Sequence, residues 1–396
     1  MLPALFSQII KRGSLTVIWP NGVKETYGIG APYAAIKIYG RTTPWVIGIR
    51  PDPSFGEAYM DGRVTVEQGC IADVLEILLL NMGTGNVPPM LHASRKMRRW
   101  FRSITQLNDA AHARKHAEHH YDLSGELYSL FLDADRQYSC AYFRHPHMTL
   151  EEAQAAKKQH IAGKMHLDRP GLKVLDIGSG WGGLAITLAQ THKANVVGIT
   201  LSAEQLALAR RRAQAEGAAS HCQFELTDYR SVEGTFDRIV SVGMFEHVGV
   251  KYYDTFFKKV NDLLASDGIA LIHTIGRSDG PGVTPDWILK YIFPGGYAPA
   301  LSEIIASVER VGLQATDIEI WRLHYAETLR EWRARFDKNR AKAVALYDER
   351  FCRMWEFYLA SAEMTFRYDH QVVFQIQLTK EAGTLPLSRD YMYRQS

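Results

Sequence analysis

Residues 173–184, KVLDIGSGWGGL, decide the fold class, because a strand-like apolar run leads directly into closely spaced glycines. A strand and turn of this kind bring the backbone close to a nucleotide. Gly178, Gly180 and Gly183 match G-x-G-x-x-G, the fingerprint of dinucleotide sites. Gly178, Gly180 and Gly182 equally match D-x-G-x-G-x-G, the pattern of S-adenosylmethionine (SAM) sites. The turn by itself therefore fits two cofactors that support different chemistry.

The end of the second predicted strand distinguishes these cofactors. A NAD site has Asp or Glu about 20 residues after the glycines, where it holds the ribose diol. Here residues 195–200 end in Thr200, and Leu201 follows. Carboxylates stand instead at Asp176, before the first glycine, and at Asp228, which closes the third strand and is placed to reach an adenine amino group. We therefore predict SAM, with Asp176 serving its ammonium group or fixing the glycine turn.

Strands and helices alternate from residue 172 onward, which predicts an α/β domain. The predicted strands are residues 173–178, 195–200, 221–228, 236–248, 268–276, 316–323 and 372–378. A predicted helical insert, residues 336–366, separates the last two strands. The predicted fold class is α/β, with a Rossmann-like seven-stranded SAM methyltransferase domain and a smaller N-terminal α+β domain.

The N-terminal part has strand-like runs between turn residues. We expect LTVIWP, AAIKIYG and WVIGI (residues 45–49) to be strands, and a helix to follow from Ile71. The chain start fits a short amphipathic helix with Leu5, Ile9 and Ile10 on one face better than it fits a signal peptide.

A basic segment follows the N-terminal part. A Gly-, Asn- and Pro-rich linker at residues 81–89 precedes SRKMRRWFRSI at residues 94–104. As a helix, the basic segment contacts anionic lipid headgroups, at about 1 kcal/mol per basic residue, or forms the solvated face of a helix docked on the second domain. The predicted divisions are an N-terminal domain (1–90), a basic linker helix (91–110) and a methyltransferase domain (111–396).

Bulk composition excludes several classes of protein. The 396 residues carry a formal charge of +3, from 46 basic and 43 acidic residues, which is too small to imply a nucleic acid partner. The four cysteines are far apart, so neither a disulfide framework nor a zinc cluster is expected. No apolar stretch approaches the roughly 20 residues that span a bilayer, so we predict a cytoplasmic protein. His112, His116 and His120 share a helix face, but we predict no metal site, because zinc needs a further ligand or water.

Eight motifs occur in the order typical of one enzyme family. They are HYDLSGELYSLFLD (120–133), YSCAYF (138–143), VLDIGSGWGG (174–183), GITLSAEQ (198–205), VGMFEHVG (242–249), IHTIG (272–276), YIFPGGYAP (291–299) and HYAETLREW (324–332). Through them the sequence resembles the cyclopropane-fatty-acid synthases and the related mycolic acid methyltransferases over about residues 110–380. GEAYMDG (56–62) more loosely resembles part of this family's small lipid-associated N-terminal domain.

The resemblance implies a SAM-dependent cyclopropane-fatty-acyl-phospholipid synthase. SAM donates its methyl group to a cis double bond of a phospholipid acyl chain, the carbocation loses a proton from the new methyl, and the ring closes. The family's base is a bound bicarbonate. The implied partners are a phospholipid with an unsaturated acyl chain and an anionic membrane surface, with peripheral association at the inner face of the membrane. A homodimer suits an enzyme that works on such a surface.

Family motifs also imply the site residues. The shell of the bound anion is Cys140, Glu246, His273, the backbone at Ile275, and Tyr325. The SAM-binding positions, with Asp176 added, are Tyr138, Ser139, Gly178, Gly180, Gly182, Thr200, Leu201, Gln205, Asp228 and Tyr229. An alkene is apolar and a poor nucleophile, so its site must exclude water while holding an anion near the developing cation. Glu246 repels that anion unless a proton is shared, which leaves its protonation state open.

The sequence departs from the family at one place and leaves other outcomes open. Many relatives carry a cysteine where this chain has Ala362, and Cys352 does not substitute for it, so a covalent cysteine mechanism is disfavoured. A carbocation can also give a methyl branch or be captured by water. Small-amine N-methyltransferases look similar, and a lipid-binding protein with a vestigial SAM fold is a further alternative. Hydride transfer is disfavoured because Thr200 stands where a ribose-binding acid is needed.

Overall fold

The computed structural model describes residues 1–82 and 125–393. The strands of the N-terminal part are β1 (Arg12–Ile18), β2 (Lys24–Tyr27), β3 (Ile29–Ile38) and β4 (Val64–Gln68). Its helices are α1 (Leu2–Ile9), α2 (Thr43–Ile49), α3 (Pro51–Met60) and α4 (Ile71–Met82). The strands form one sheet in the order β2-β1-β3-β4, which confirms a small α+β unit.

The amphipathic helix at the chain start and the helix from Ile71 are confirmed, but the strand prediction for residues 45–49 is wrong. Five apolar residues are too few for periodicity to separate a strand from a helix. Pro44 fits the first turn of a helix, where its missing N–H costs nothing. Gly48 then allows α2 to approach α1, because a Cβ there would lie 3.3 Å from the backbone nitrogen of Leu2.

A second sheet has seven strands. They are β5 (Lys173–Ile177), β6 (Asn195–Thr200), β7 (Cys222–Leu226), β8 (Phe236–Val242), β9 (Leu264–Arg277), β10 (Gln314–Trp321) and β11 (Gln371–Thr379). Their order is β10-β11-β9-β8-β5-β6-β7. β5 to β9 pair in parallel, whereas β11 runs antiparallel to both β9 and β10. The seven predicted strands are confirmed, and each overlaps its predicted segment.

Helices cover both faces of this sheet, as the parallel pairing requires. They are α5 (Gly125–Ser129), α6 (Leu150–Lys164), α7 (Gly183–His192), α8 (Ala203–Ala215), α9 (Tyr253–Leu263), α10 (Asp286–Tyr291), α11 (Leu301–Arg310), α12 (His324–Lys338), α13 (Arg340–Leu346) and α14 (Glu349–Tyr368). α6 begins at a capping box in which Thr149 and Glu152 satisfy each other's backbone N–H groups. The end of α12, with α13 and α14, occupies the predicted helical insert between β10 and β11.

The N-terminal part packs against α10 and α14. Gly56 of α3 lies so close to Trp287 that a Cβ would sit 2.5 Å from the indole nitrogen. The Tyr59 hydroxyl donates to Glu356 at 3.1 Å. Buried apolar residues of α1 to α4 and of α14 belong to one contiguous cluster. The predicted domain boundary at residue 90 and the predicted linker helix lie outside the described residues. Within residues 1–82 and 125–393, every helix is too short or too polar to cross a membrane.

Candidate active site

A pocket opens where the carboxyl ends of β5, β6 and β8 meet, the place where open α/β sheets bind ligands. The predicted cofactor residues that line it are Tyr138, Ser139, Asp176, Gly178, Gly180, Thr200, Leu201, Gln205, Asp228 and Tyr229. Gly182 is the predicted position that does not line the pocket. The fold thus brings predicted residues from four separate segments of the chain, 138–139, 176–180, 200–205 and 228–229, to one cleft.

The glycines of the turn have different tasks. Gly180 has φ 53°, and a Cβ there would project into open space, so its backbone faces the cleft without obstruction. Gly182 has φ 83° and caps α7; a Cβ there would lie 2.8 Å from the ring of Phe224. Gly182 therefore serves helix–sheet packing, whereas Gly180 leaves room for a ligand.

Asp176 supplies a buried carboxylate that fits a cationic ligand. Its side chain is buried, and burial raises its pKa to about 7 against the opposing effect of Lys157. Oδ2 has no hydrogen-bond partner among the described residues. A buried acceptor without a donor is costly, so this atom suits an ammonium group such as that of SAM. The Asp176 carboxylate therefore fits the ammonium group of the predicted cofactor.

At and just after the end of β6, where a NAD site would have an acid, this chain has two neutral side chains, Thr200 and Gln205. The Thr200 hydroxyl donates to Gln205 Oε1 at 2.8 Å and accepts from the backbone N–H of Ser202 at 3.1 Å. This arrangement holds the Gln205 amide at the cleft wall. Asp228 accepts the backbone N–H of Arg230 at 2.9 Å and caps the turn after β7. Gln205 and Asp228 thus contribute an amide and a carboxylate to the wall of the pocket.

Lys157 lines the same pocket and was missed by the sequence reasoning. It lies on α6, is buried, and donates to Gln137 Oε1 at 2.8 Å and to the Ser139 hydroxyl at 2.7 Å. Burial lowers its pKa to about 8. Lysines are mostly exposed, so its sequence context gave no signal of this position.

Glu246 and Ile275 are joined directly. Glu246 Oε1 accepts the backbone N–H of Ile275 at 2.6 Å, while Oε2 is buried without a hydrogen-bond partner among the described residues. Burial is the main cause that raises the Glu246 pKa to about 7. The single amide hydrogen of Ile275 is used by the carboxyl, so the backbone N–H predicted for the anion shell is already bonded to Glu246. A proton on Oε2 would turn that oxygen from a repelling group into a donor.

His273 lies two residues before Ile275, on the same face of β9. Its ring packs edge-on to Trp321 at 5.1 Å between centroids, and burial lowers its pKa well below the usual range. The side-chain amide of Gln375, its register partner on β11, lies 3.1 Å from Nδ1. Because an amide nitrogen donates, Nδ1 accepts and the ring proton resides on Nε2. Sequence reasoning missed Gln375, which is fully buried in a strand that otherwise reads as core.

Cys140 and Tyr325 belong to the same contiguous apolar cluster as Ile275. Cys140 is fully buried, and burial raises the pKa of its thiol, so the sulfur stays protonated. The next residue, Ala141, donates its backbone N–H to the Thr328 hydroxyl at 3.0 Å, which ties this segment to α12. Tyr325 lies one turn earlier on α12. Cys140 and Tyr325 are thus both buried, and Cys140 directly follows Ser139, which lines the cofactor pocket.

The described residues contain no group of three or more His, Cys, Asp or Glu side chains arranged to hold a metal ion. The predicted histidine face, with His112, His116 and His120, lies outside the described residues. The predicted basic helix at residues 94–104 lies outside them as well.

Comparison with known proteins identifies the family. The family model for mycolic acid cyclopropane synthetase matches residues 108–376. A probable fatty acid methyltransferase of Pseudomonas putida is 42% identical over 288 residues, which cover 70% of this chain and 73% of that protein. The cyclopropane-fatty-acyl-phospholipid synthase of Escherichia coli K12 is 38% identical over 325 residues, 82% of each chain. The solved mycolic acid cyclopropane synthase CmaA1 complexed with SAH and CTAB has a TM-score of 0.64 and 33% identity, covering 69% of this chain and 99% of that chain. This chain therefore belongs to the mycolic acid cyclopropane synthetase family.

Proposed function

We propose that this protein is a SAM-dependent cyclopropane-fatty-acyl-phospholipid synthase. It adds a methylene group across a cis double bond of a membrane phospholipid acyl chain. Family membership and the similarity to the Escherichia coli enzyme of that name support the reaction. The observation that carries the proposal is that the Glu246 carboxyl is bonded to Ile275 and that His273 lies two residues before Ile275 on the same face of β9, with burial favouring the neutral form of both side chains. Such a site handles protons without water that would capture a carbocation.

Bound SAM supplies an electrophilic methyl group, and bound bicarbonate supplies the base. Around the cofactor, Asp176 accepts from the ammonium group and Asp228 accepts from the adenine amino group. Thr200 and Gln205 form a fixed neutral pair that would contact the cofactor where a NAD site has its ribose-binding acid. Gly180 keeps the cleft open at the point of closest backbone approach.

The anion shell is built from neutral donors. Protonated Glu246 donates from Oε2, so an anion meets a hydrogen rather than a second negative charge. His273 offers Nε2–H, because Gln375 occupies Nδ1. Cys140 and Tyr325 add a thiol and a hydroxyl. Neutral donors in an apolar region hold an oxyanion strongly, since little water competes for it. When bound, the anion would take the proton lost from the new methyl group, and the electron pair of that C–H bond would close the ring.

A second outcome is a methyl-branched acyl chain. The 42% identity to a probable fatty acid methyltransferase favours it as the alternative. The two reactions share methyl transfer to the alkene and differ in the fate of the cation. An N-methyltransferase acting on a small amine would have no use for the donors of Glu246, His273 and Cys140.

Mass spectrometry of vesicle lipids after incubation with the enzyme and SAM tests the proposal. A gain of one CH2 with loss of the double bond is expected in the acyl chain. Fragmentation separates a ring from a branch. A gain of CH2 on the headgroup would overturn acyl-chain transfer.

Two variants test the assigned shell. Cys140→Ala and His273→Ala are expected to lower turnover while leaving SAM affinity nearly intact, as befits groups that act in the transition state. Cys352→Ala is the matched control, because Cys352 is also a fully buried cysteine but is not in the shell. Full turnover of Cys140→Ala and His273→Ala in bicarbonate buffer would refute the shell.

The substrate's location implies where the protein works. We infer that it is cytoplasmic, binds peripherally to the inner face of an anionic membrane, and forms a homodimer there. The basic residues at positions 94–104 support this inference by their charge alone. Neutralising Arg95, Lys96, Arg98 and Arg99 is expected to weaken sedimentation with anionic vesicles. Unchanged sedimentation would instead favour a helix docked on the methyltransferase domain.

A further inference from the structure

Helix α2 exposes three large apolar side chains on one face. Trp45 is 61%, Val46 45% and Ile49 64% exposed. Residues three and four apart share a helix face, so Ile49 lies beside both others. The opposite side of α2 is packed against the protein, because Ile47 is buried and Gly48 contacts α1. We call Trp45, Val46 and Ile49 the α2 patch. A contiguous apolar patch at the surface marks an interaction site more often than scattered residues do.

Basic residues flank the α2 patch along the chain, and an acid pairs with one of them. Arg41 and Arg50 lie before and after it, and residues 1–24 and 37–51 contain no Asp or Glu. Arg50 is paired with Asp286 at 2.6 Å, while Arg41 is exposed. The nearest acid along the chain, Asp52, accepts hydrogen bonds from two backbone N–H groups at the start of α10. The patch is therefore apolar at its centre and basic at its margin.

This combination fits one partner best. Tryptophan favours the boundary between water and acyl chains, and basic residues are attracted to anionic headgroups. A symmetric contact between two copies of the patch would bring the same basic margins together, which is unfavourable. We propose that the α2 patch is the surface through which this protein inserts into the headgroup region of an anionic phospholipid bilayer. The proposal rests on the proposed function, because the acyl chain to be modified lies in such a bilayer.

The α2 patch is connected to the catalytic cleft by packed residues. α2 continues directly into α3, where Gly56 contacts Trp287 and Phe357. The neighbour of Phe357, Tyr358, has its hydroxyl 3.0 Å from that of Tyr138, which lines the cofactor pocket. Insertion of α2 would thus place the bilayer next to the segment that continues through α3 to Trp287 and Phe357.

Vesicle co-sedimentation of the full chain with the double variant Trp45→Gln/Ile49→Gln tests the proposal. The matched control is Leu346→Gln/Leu387→Gln, which removes two exposed leucines of the methyltransferase domain. On vesicles rich in phosphatidylglycerol, we expect the α2 variant to bind at least about tenfold more weakly, and the control to bind as wild type does. Unchanged binding of the α2 variant would overturn the proposal. A change in the oligomeric state of the α2 variant, measured by sedimentation velocity, together with unchanged vesicle binding would also overturn the proposal.

Turnover separates this proposal from the proposed function. With substrate lipid dispersed in detergent, the α2 variant is expected to retain wild-type turnover, because the patch contains no residue of the site. With the same lipid in vesicles, its turnover should fall in parallel with binding. Equal loss in detergent and in vesicles would show that α2 acts on the fold, and would refute the docking role. A wild-type protein that modifies no lipid in either form would refute the proposed function, while the sedimentation result would still decide the patch.

Discussion

Replacing Glu246 by glutamine should make this protein more stable at alkaline pH while lowering its activity. Burial raises the Glu246 pKa from an ordinary 4.5 to about 7. The folded state therefore holds this proton more tightly than the unfolded state does. Ionisation above pH 7 costs the folded state about 3 kcal/mol relative to pH 4, at 1.4 kcal/mol per unit of pKa. Glutamine does not ionise and does not bear this cost.

The substitution is conservative in geometry. Glutamine Oε1 can keep the hydrogen bond from the Ile275 N–H, which Glu246 accepts at 2.6 Å. Its amide nitrogen takes the place of the protonated Oε2. The stability difference between variant and wild type should therefore move in favour of glutamine as pH rises from 5 to 7, by up to about 3 kcal/mol, and level off above 7. Asp176, whose pKa is also raised to about 7, is present in both proteins, so its contribution to the stability difference cancels.

Urea denaturation of both proteins between pH 5 and 8, in bicarbonate-free buffer, measures this difference. Glu363→Gln is a control in which the expected change in stability has the opposite sign. Glu363 is buried but paired with Arg333 at 3.1 Å and Arg367 at 2.9 Å, so its loss should destabilise the protein at pH 8. A stability difference for Glu246→Gln that stays constant from pH 5 to 8 would refute the assignment of a buried, proton-holding carboxyl. Turnover should fall in that variant, because an amide cannot share a proton with an anion.

Four further substitutions follow from the contacts of the described residues. Gly182→Ala should lower the free energy of unfolding by about 1–3 kcal/mol, because its Cβ meets an aromatic ring, whereas Gly180→Ala should mainly weaken SAM binding; equal losses of stability would contradict the division of roles. Lys164→Met should lower the free energy of unfolding by about 1–3 kcal/mol, because buried Asp317 loses its contact with Lys164 at 3.0 Å while keeping the one with Arg389, and Glu319 loses its contact at 2.6 Å; an unchanged free energy of unfolding would show that the pair is dispensable. Asp228→Ala should weaken SAM binding by about 1–3 kcal/mol, and unchanged calorimetric affinity would contradict its role.

Local sequence patterns were sufficient to predict the strands of the methyltransferase sheet. Parallel strands buried on both faces read as continuous apolar runs, and the glycine turn marks where the first of them ends. Thr200 at the end of β6 excluded a ribose-binding acid without any coordinates. The same logic failed for residues 45–49, because a five-residue apolar run carries no period. Contact between Gly48 and α1 decided that segment in favour of a helix.

The chemical state of the site depended on contacts between distant segments. Lys157 and Gln375 read as an ordinary surface lysine and a strand residue, yet folding buries both against the site. Burial against β9 and its neighbours raises the pKa of the Glu246 carboxyl to about 7, and no neighbour in sequence indicates this shift. Amino-acid order alone was enough to establish strand succession, cofactor class and family, since these depend on residue types at short spacing. Protonation and tautomer depend on burial, which exists only once the chain has folded.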